Sequence, residues 1–399
     1  MFPPPPQPPS GPTTTADYLV GAVIGEGSFG RVVHGKHKQT VRDVAIKVVE
    51  KVSLKRRPDA LQAVLKEQSL LKMYRGLPSV VNLWASFHDS ECVYLVMECA
   101  KGGNLKDLIV QETKLLSTKQ SQDNGSSSTV DTTGTNSTTT SFTAPSEKWL
   151  LAATHYGLQI LEALEEIHSH QLVHGDLKPE NILVTERGRI QLADFGSAIQ
   201  VGGDGGADST TSATALQHAF GTSDYACPEI LRGLSTAAQE RQGYKSSFLY
   251  AIDMWSFGCI LYAMIVGESP FHSECDALAV QKIFQYAQHS DAAETRAALL
   301  FYEQPNFPDH WRSFVAGLLH PDPAHRTGTY NQHLKPPPGQ SAERDSLNWY
   351  AWIKDDPVWK STDINNELPD VLPKCPKWLQ ESAEVGMRDG AGGWSVFLM

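Results

Sequence analysis

The chain has 399 residues, a net charge of −11, 41% hydrophobic and 20% charged residues. This is the composition of a soluble globular protein with material for a sizeable core, and its acidity argues against nucleic acid or an anionic membrane as the main partner, since both reward a basic surface. The six cysteines (Cys92, Cys99, Cys227, Cys259, Cys275, Cys375) show no CxxC and no disulfide-like spacing, which reads as a reducing compartment and a cytoplasmic location. No apolar run approaches the roughly 20 residues a bilayer span needs, so no transmembrane segment is expected. The start, MFPPPPQPPSGP, has neither a basic nor an apolar region of signal-peptide type.

In chain order, residues 1–17 are a Pro-rich tail expected to be extended and disordered, with an SH3-type domain as a candidate partner. From Tyr18 to about Glu98 the pattern predicts strands, with β-branched runs at Tyr18–Ile24, Val44–Val49 and Val93–Met97 and one amphipathic helix over about Asp59–Tyr74. Residues 113–146 turn abruptly to Ser, Thr, Gly, Asn and Gln. A stretch so poor in apolar side chains cannot bury enough surface to order itself, so it reads as a disordered insertion. Trp149 to His170 has a helical pattern, and residues 251–330 alternate helical stretches with short Pro-containing loops. Val201–Ser212 is again loop material. The expected layout is a small β-rich unit over 18–97, a larger helical unit over 98–330 and a C-terminal tail over 331–399.

Gly25-Glu-Gly-Ser-Phe-Gly30-Arg-Val32 has glycines spaced so that backbone amides can fold over phosphates, where a Cβ would keep the chain away. Taken alone it fits a dinucleotide loop or a plain turn equally well. A dinucleotide site needs a helix straight afterwards; here a second strand follows, carrying Val44-Ala-Ile-Lys47. A lysine in an apolar strand requires compensation of its charge. Glu67, mid-helix about twenty residues later, is a candidate partner, although a solvated helix face accounts for it as well.

Further on come His174-Gly-Asp176-Leu-Lys178-Pro-Glu-Asn181, Asp194-Phe-Gly196, Gly221-Thr-Ser-Asp-Tyr225-Ala-Cys-Pro228-Glu229, Asp253-Met-Trp255-Ser-Phe-Gly258 and Arg326. This ordered series over about residues 18–330 resembles the protein kinase superfamily. The resemblance implies a two-lobed α+β fold: an antiparallel β-sheet N-lobe with one regulatory helix, a mainly helical C-lobe, and ATP in the cleft between. The activation segment would run over 194–229.

The resemblance implies ATP and Mg2+ as cofactors and protein substrates as partners. It assigns catalysis to Asp176, which accepts the proton of the acceptor hydroxyl, Lys178, which contacts the transferring phosphate, and Lys47, which holds the α- and β-phosphates. Metal binding falls to Asn181 and Asp194. ATP binding falls to Gly25, Glu26, Gly27, Gly30, Val32, Ala45, Lys47, Glu67, Met97, Glu98, Ala100, Asn104, Glu180 and Leu183. Glu229 and Arg326 match an ion pair that braces the activation segment, and Asp253 a carboxylate that holds the catalytic loop. Leu71, Leu83, His174 and Phe195 match a stacked spine between the lobes. Asp176-x-Lys178, with Thr222 ahead of Tyr225, is similar to serine/threonine kinases.

The run Gly76–Met97, the segment Glu98–Leu105 and the tail from Trp349 through Trp359 to Pro373 are similar to the AGC group. Ser269-Pro-Phe271 and Gln281-Lys-Ile283 add a likeness to phosphoinositide-dependent protein kinase, whose activity on activation loops of other AGC kinases would follow. About seventy residues follow Arg326, too few for both an AGC-like tail and a PH domain, so no PH domain is expected. Trp394 and Phe397 are similar to the aromatic motif of the group's tails. Two positions depart from the pattern. Asn104 stands where Glu is usual, and Gly175 replaces the arginine that normally binds an activation-loop phosphate. The second puts regulation rather than catalysis in doubt. A pseudokinase scaffold, which binds ATP without efficient turnover, and a small-molecule kinase of related fold are the alternatives.

Overall fold

The structure, a computed structural model, describes residues 13–27, 30–123, 145–201, 223–232, 248–289, 292–328, 350, 353–359 and 388–389. Its β-branched runs pair as antiparallel neighbours: β1 (Tyr18–Gly27), β2 (Gly30–His37), β3 (Asp43–Glu50), β4 (Leu83–His88) and β5 (Cys92–Glu98), in the order β1-β2-β3-β5-β4. β3 lies between two partners and is buried along most of its length, as its unbroken Val44–Val49 run requires. Val33, Val44, Ile46, Val48, Tyr94 and Val96 form one apolar core with Tyr18 and Val20.

Two helices interrupt the sheet where the sequence predicted one: α1 (Lys51–Arg56) and α2 (Pro58–Met73). α1 buries only Leu54, and six residues with one apolar anchor show no periodicity. Pro58 opens α2, where its missing N–H is no loss.

The larger lobe holds α3 (Leu105–Asp123), α4 (Glu147–Ser169), α5 (Pro228–Leu231), α6 (Tyr250–Val266), α7 (Asp276–His289), α8 (Ala293–Phe301) and α9 (Asp309–Leu318). α6 is buried on every side from Ala251 to Ile265, the state that its all-round apolar sequence demands, and the other helices of the lobe pack about it. It stops at Gly267, whose φ of 103° is a left-handed helix end. α4 starts at Ser146, whose Oγ accepts a hydrogen bond from the Trp149 amide at 3.2 Å. Between lobe and sheet lie two short pairs, β6 (Leu172–Val173) with β9 (Ile199–Gln200) and β7 (Ile182–Val184) with β8 (Ile190–Leu192). The loops between these strands carry most of the motif residues. The fold is thus the predicted α+β arrangement, an antiparallel sheet lobe against a mainly helical one.

The reading of 113–146 as a disordered insertion needs correction at both ends. α3 continues to Asp123, and Ser146 is the N-cap of α4. Leu105, Leu108 and Ile109 anchor the first turns of α3 in the core. Beyond such a nucleus each further residue fixes only itself, and Lys114, Leu115, Leu116, Lys119 and Gln120 are good helix formers.

Part of the tail is built into the protein. Tyr350, Ile353, Val358 and Trp359 are buried. The Trp359 ring meets Trp311 at 5.9 Å and Phe314 at 5.3 Å. A Cβ at Gly157 would stand 3.0 Å from that ring, so α4 accepts the indole only where it lacks a side chain. Further on, β10 (Arg388–Asp389) pairs antiparallel with β1, Leu19 opposite Asp389 and Val20 opposite Arg388. It makes the sheet six-stranded, in the order β10-β1-β2-β3-β5-β4. The Pro-rich residues 1–12, the Ser/Thr-rich 124–144, the loop 202–222 and Trp394 with Phe397 lie outside the described residues. Among the described residues no helix is long and apolar enough to cross a membrane.

Candidate active site

Lys47 sits on β3, opposite Val32 of β2 and Leu95 of β5, and is 7% exposed. An ammonium there must be compensated. Its Nζ donates to Glu67 Oε2 on α2 at 2.7 Å and to Asp194 Oδ1 at 3.1 Å. Burial by itself would lower the lysine's pKa, but the Asp194 and Glu67 carboxylates outweigh it and hold the pKa above its ordinary value. Asp194 in turn is held below the usual aspartate range, first by the Lys47 ammonium. Its backbone is left-handed, φ 62° and ψ 71°. That conformation costs an L-residue about 1–2 kcal/mol, and the ion pair offsets it.

The loop at residues 174–181 is fixed from below by α6. Asp253 accepts the His174 amide at Oδ2 (2.8 Å) and the Gly175 amide at Oδ1 (2.9 Å). His174 donates from Nε2 to the Ala193 carbonyl at 2.9 Å, and its ring lies 5.0 Å from Phe195. Leu71, Leu83, His174 and Phe195 are all buried. Next along the loop, Asp176 Oδ2 accepts from Lys178 Nζ at 2.8 Å and from Asn181 Nδ2 at 3.3 Å. Asn181 Nδ2 also donates to the Asp176 carbonyl at 2.8 Å. Burial pushes the Asp176 pKa up, against the pull of Lys178.

This donor set fits magnesium. Both Asn181 amide hydrogens are directed at Asp176, which leaves its Oδ1 as the acceptor end. With the Asp194 carboxylate it supplies hard oxygen ligands of the kind magnesium takes alongside substrate phosphates and water.

On the nucleotide side, Ala45 and Met97 face each other in register across β3 and β5, and both are buried. Glu98 Oε2 accepts from Asn82 at 2.9 Å and Gln191 at 3.3 Å, so that side chain braces the turn out of β5. Ala100 follows it, buried, and Leu183 on β7 bridges to Asn104. Asn104 Oδ1 accepts the Asp107 amide at 2.9 Å and so caps α3, leaving its amide nitrogen as the group for a ligand. Gly25, Glu26, Gly27, Gly30 and Val32 lie on the β1–β2 hairpin, with Gly27 paired to Gly30. A Cβ at Gly30 would fall 2.0 Å from the Val48 carbonyl oxygen, so no side chain fits there. Glu180 is exposed, in the short 3-10 turn Pro179–Asn181.

Arg326, fully buried, grips Glu229 at two points, Nη1 to Oε1 at 2.6 Å and Nη2 to Oε2 at 3.0 Å. It also donates to the Ala251 and His320 carbonyls and lies over the Trp255 ring at 5.1 Å. Gly175, where an arginine is usual in the resemblance, has φ +78°, and a Cβ on it would meet the Ser197 carbonyl oxygen at 2.7 Å. Beside it, Lys66 Nζ on α2 donates to the Ala198 carbonyl at 3.0 Å. Sequence reading missed His168 and Tyr350. For His168 one signal existed, a polar residue on the apolar stripe of α4; Tyr350 stands in the tail run from Trp349, but nothing in that run points to this contact.

A model of the protein kinase domain matches residues 18–337. Rho-associated protein kinase 1 of Oryctolagus cuniculus is 30% identical over 270 residues, 68% of this chain and 16% of that protein. Rho-associated protein kinase let-502 of Caenorhabditis briggsae is 27% identical over 357 residues, 90% of this chain and 24% of that protein. Serine/threonine-protein kinase PKH3 of Eremothecium gossypii is 29% identical over 269 residues, 67% of this chain and 30% of that protein. The chain spans less than a third of the length of each of these relatives.

Proposed function

Because this chain belongs to the protein kinase family, we propose that it is an ATP- and magnesium-dependent serine/threonine protein kinase. The observation that carries the proposal is the meeting of Lys47, Glu67 and Asp194 within 3.1 Å beside an ordered Asp176, Lys178 and Asn181. Lys47, kept charged and aimed by Glu67, holds the α- and β-phosphates. Asp194 and Asn181 hold magnesium, which when bound neutralises charge on the phosphate oxygens. Asp176, with Oδ2 occupied by Lys178 and Asn181, offers Oδ1 to the acceptor hydroxyl, aligns it and takes its proton. Lys178, bound to Asp176 Oδ2, contacts the transferring phosphoryl group. Phosphoryl transfer needs little more than such positioning and charge.

Relatives named as Rho-associated and serine/threonine-protein kinases support the AGC group and the Ser/Thr preference. The finer reading, a likeness to phosphoinositide-dependent protein kinase acting on activation loops of other AGC kinases, rests on Phe220-Gly-Thr-Ser-Asp-Tyr225, Ser269-Pro-Phe271 and Gln281-Lys-Ile283. A peptide library tests it. A cytoplasmic location rests on the absence of disulfide-like cysteine spacing; Cys92, Cys99, Cys227, Cys259 and Cys275 are free thiols.

The decisive experiment is Asp194→Asn, which removes the carboxylate charge that would hold the metal and keeps the shape. Wild type should phosphorylate Ser/Thr peptides with Mg-ATP, and the variant should fold and lose all or nearly all turnover, as should Lys47→Met and Asp176→Asn. Near wild-type turnover in Asp194→Asn refutes the ligand assignment. Nucleotide binding without turnover in the wild type returns the scaffold alternative.

A further inference from the structure

His168, near the end of α4, is buried, and its ring is claimed at both nitrogens. Nε2 lies 2.8 Å from Asp253 Oδ2. Asp253 is fully buried. Burial would raise its pKa, but the His168 hydrogen bond and the backbone amides hold it below the usual range, so it is a carboxylate and can only accept. Nε2 therefore carries a hydrogen, which leaves Nδ1 as the ring's second polar atom, and a buried polar atom without a partner costs about 1–3 kcal/mol. The Tyr350 hydroxyl stands 2.6 Å from Nδ1. Tyr350 is itself 0% exposed, and burial, then the Asp253 charge, pushes its pKa well above the ordinary value, so it keeps its proton to donate.

A continuous chain results. Tyr350 donates to His168, His168 donates to Asp253, and Asp253 receives the amides of His174 and Gly175, the two residues before Asp176. Gly175 lies in the left-handed region at φ +78°, which glycine reaches without strain, so with no side chain of its own to pack it depends on the Asp253 contact to fix it. The element at the far end of the chain belongs to the C-terminal segment, anchored by Ile353, Val358 and Trp359 in the large lobe.

We propose that Tyr350 is a positioning residue for catalysis: its hydroxyl fixes the tautomer and orientation of His168, and thereby the Asp253 carboxylate on which the Asp176 loop hangs. This rests on the kinase reading for its kinetic consequence and on the geometry alone for its structural one.

The test is Tyr350→Phe in the full chain, which deletes one oxygen and keeps the packed ring. The expected results are a fall in kcat of about tenfold, the effect of one lost charge-coupled hydrogen bond of about 1.4 kcal/mol, with KM for ATP within about twofold. Amide exchange at His174 and Gly175 should speed by about the same factor, and the His168 Nδ1 resonance in 15N-histidine spectra should shift. Lys354→Met, which removes the Lys354–Glu165 ion pair of the same segment, should leave all of these unchanged. Unchanged exchange and turnover in Tyr350→Phe overturn the proposal. So does an equal loss in Lys354→Met, since that would trace the effect to docking of the segment in general. If wild type phosphorylates no peptide, the kinase reading fails by itself, and the exchange and 15N measurements still decide the contact.

Discussion

At position 175 the backbone takes φ +78°, and the space a Cβ would occupy is already held by the Ser197 carbonyl oxygen, 2.7 Å away. Both facts exclude an ordinary side chain as the loop stands. Glycine here therefore does more than omit an arginine: it lets Ser197 close onto the loop at residues 174–176. Gly175→Ala should destabilise the fold by about 1–2 kcal/mol for the left-handed backbone, with further loss from displacing Ser197, and should lower turnover. Urea unfolding and steady-state kinetics measure both. Unchanged stability and turnover would mean that the backbone at 175 is not left-handed.

The contacts around Gly175 bear on switching as well. Lys66 of α2 already binds the Ala198 carbonyl directly, so α2 and the stretch after Phe195 are joined without a phosphate between them. Removing phosphate from the recombinant protein with a phosphatase should change turnover by less than about tenfold, or about 1.4 kcal/mol. A drop of about a hundredfold or more would show that a phosphate, bound by some other cation, holds the segment. The candidate acceptors Ser209, Thr210, Thr211, Ser212 and Thr214 lie outside the described residues.

At the scale of elements, the segment 124–144 separates α3 from α4. Its composition offers almost no apolar surface to bury, and loop-closure entropy changes only with the logarithm of length, by under about 1 kcal/mol for such a change. Deleting 128–140, which keeps eight linker residues to run back from Asp123 to Ser146 beside Glu112, should therefore leave the melting temperature within about 2 °C and activity near wild type, as differential scanning calorimetry and peptide assays would show. A loss of several degrees would mean that the segment packs. The deletion must not extend back into α3, which runs to Asp123. Elements with a long period were legible in the sequence: α4 by its apolar stripe, and β3 and β5 by their β-branched runs. α1 was not, because one buried leucine gives no period. The extension of α3 was not, because polar helix formers continue a helix that its apolar first turns have nucleated.

At the scale of the whole molecule, the ion pairs of the site join distant stretches of chain. Lys47 and Asp194 are 147 residues apart, and both were legible because each stands in a motif. Tyr350 and His168 are 182 residues apart and Lys66 and Ala198 are 132 apart, and neither pair has a motif. Such contacts exist only once helices and sheet are packed. What a chain read alone conveys is thus the chemistry kept in short patterns, while the support behind that chemistry waits for the fold.

The pairing of β10 with β1 gives the tail a further role. β1 would otherwise be the outer strand of the N-lobe sheet, and at Leu19 and Val20 its free side would present open amides and carbonyls. Such a row is a template for another chain. With Arg388 and Asp389 laid along it, these groups are spent within the molecule. A truncation between Trp359 and Arg388 exposes a self-association surface on the N-lobe while keeping Tyr350 and Trp359 in place, and the resulting loss of activity would be one of solubility rather than of chemistry.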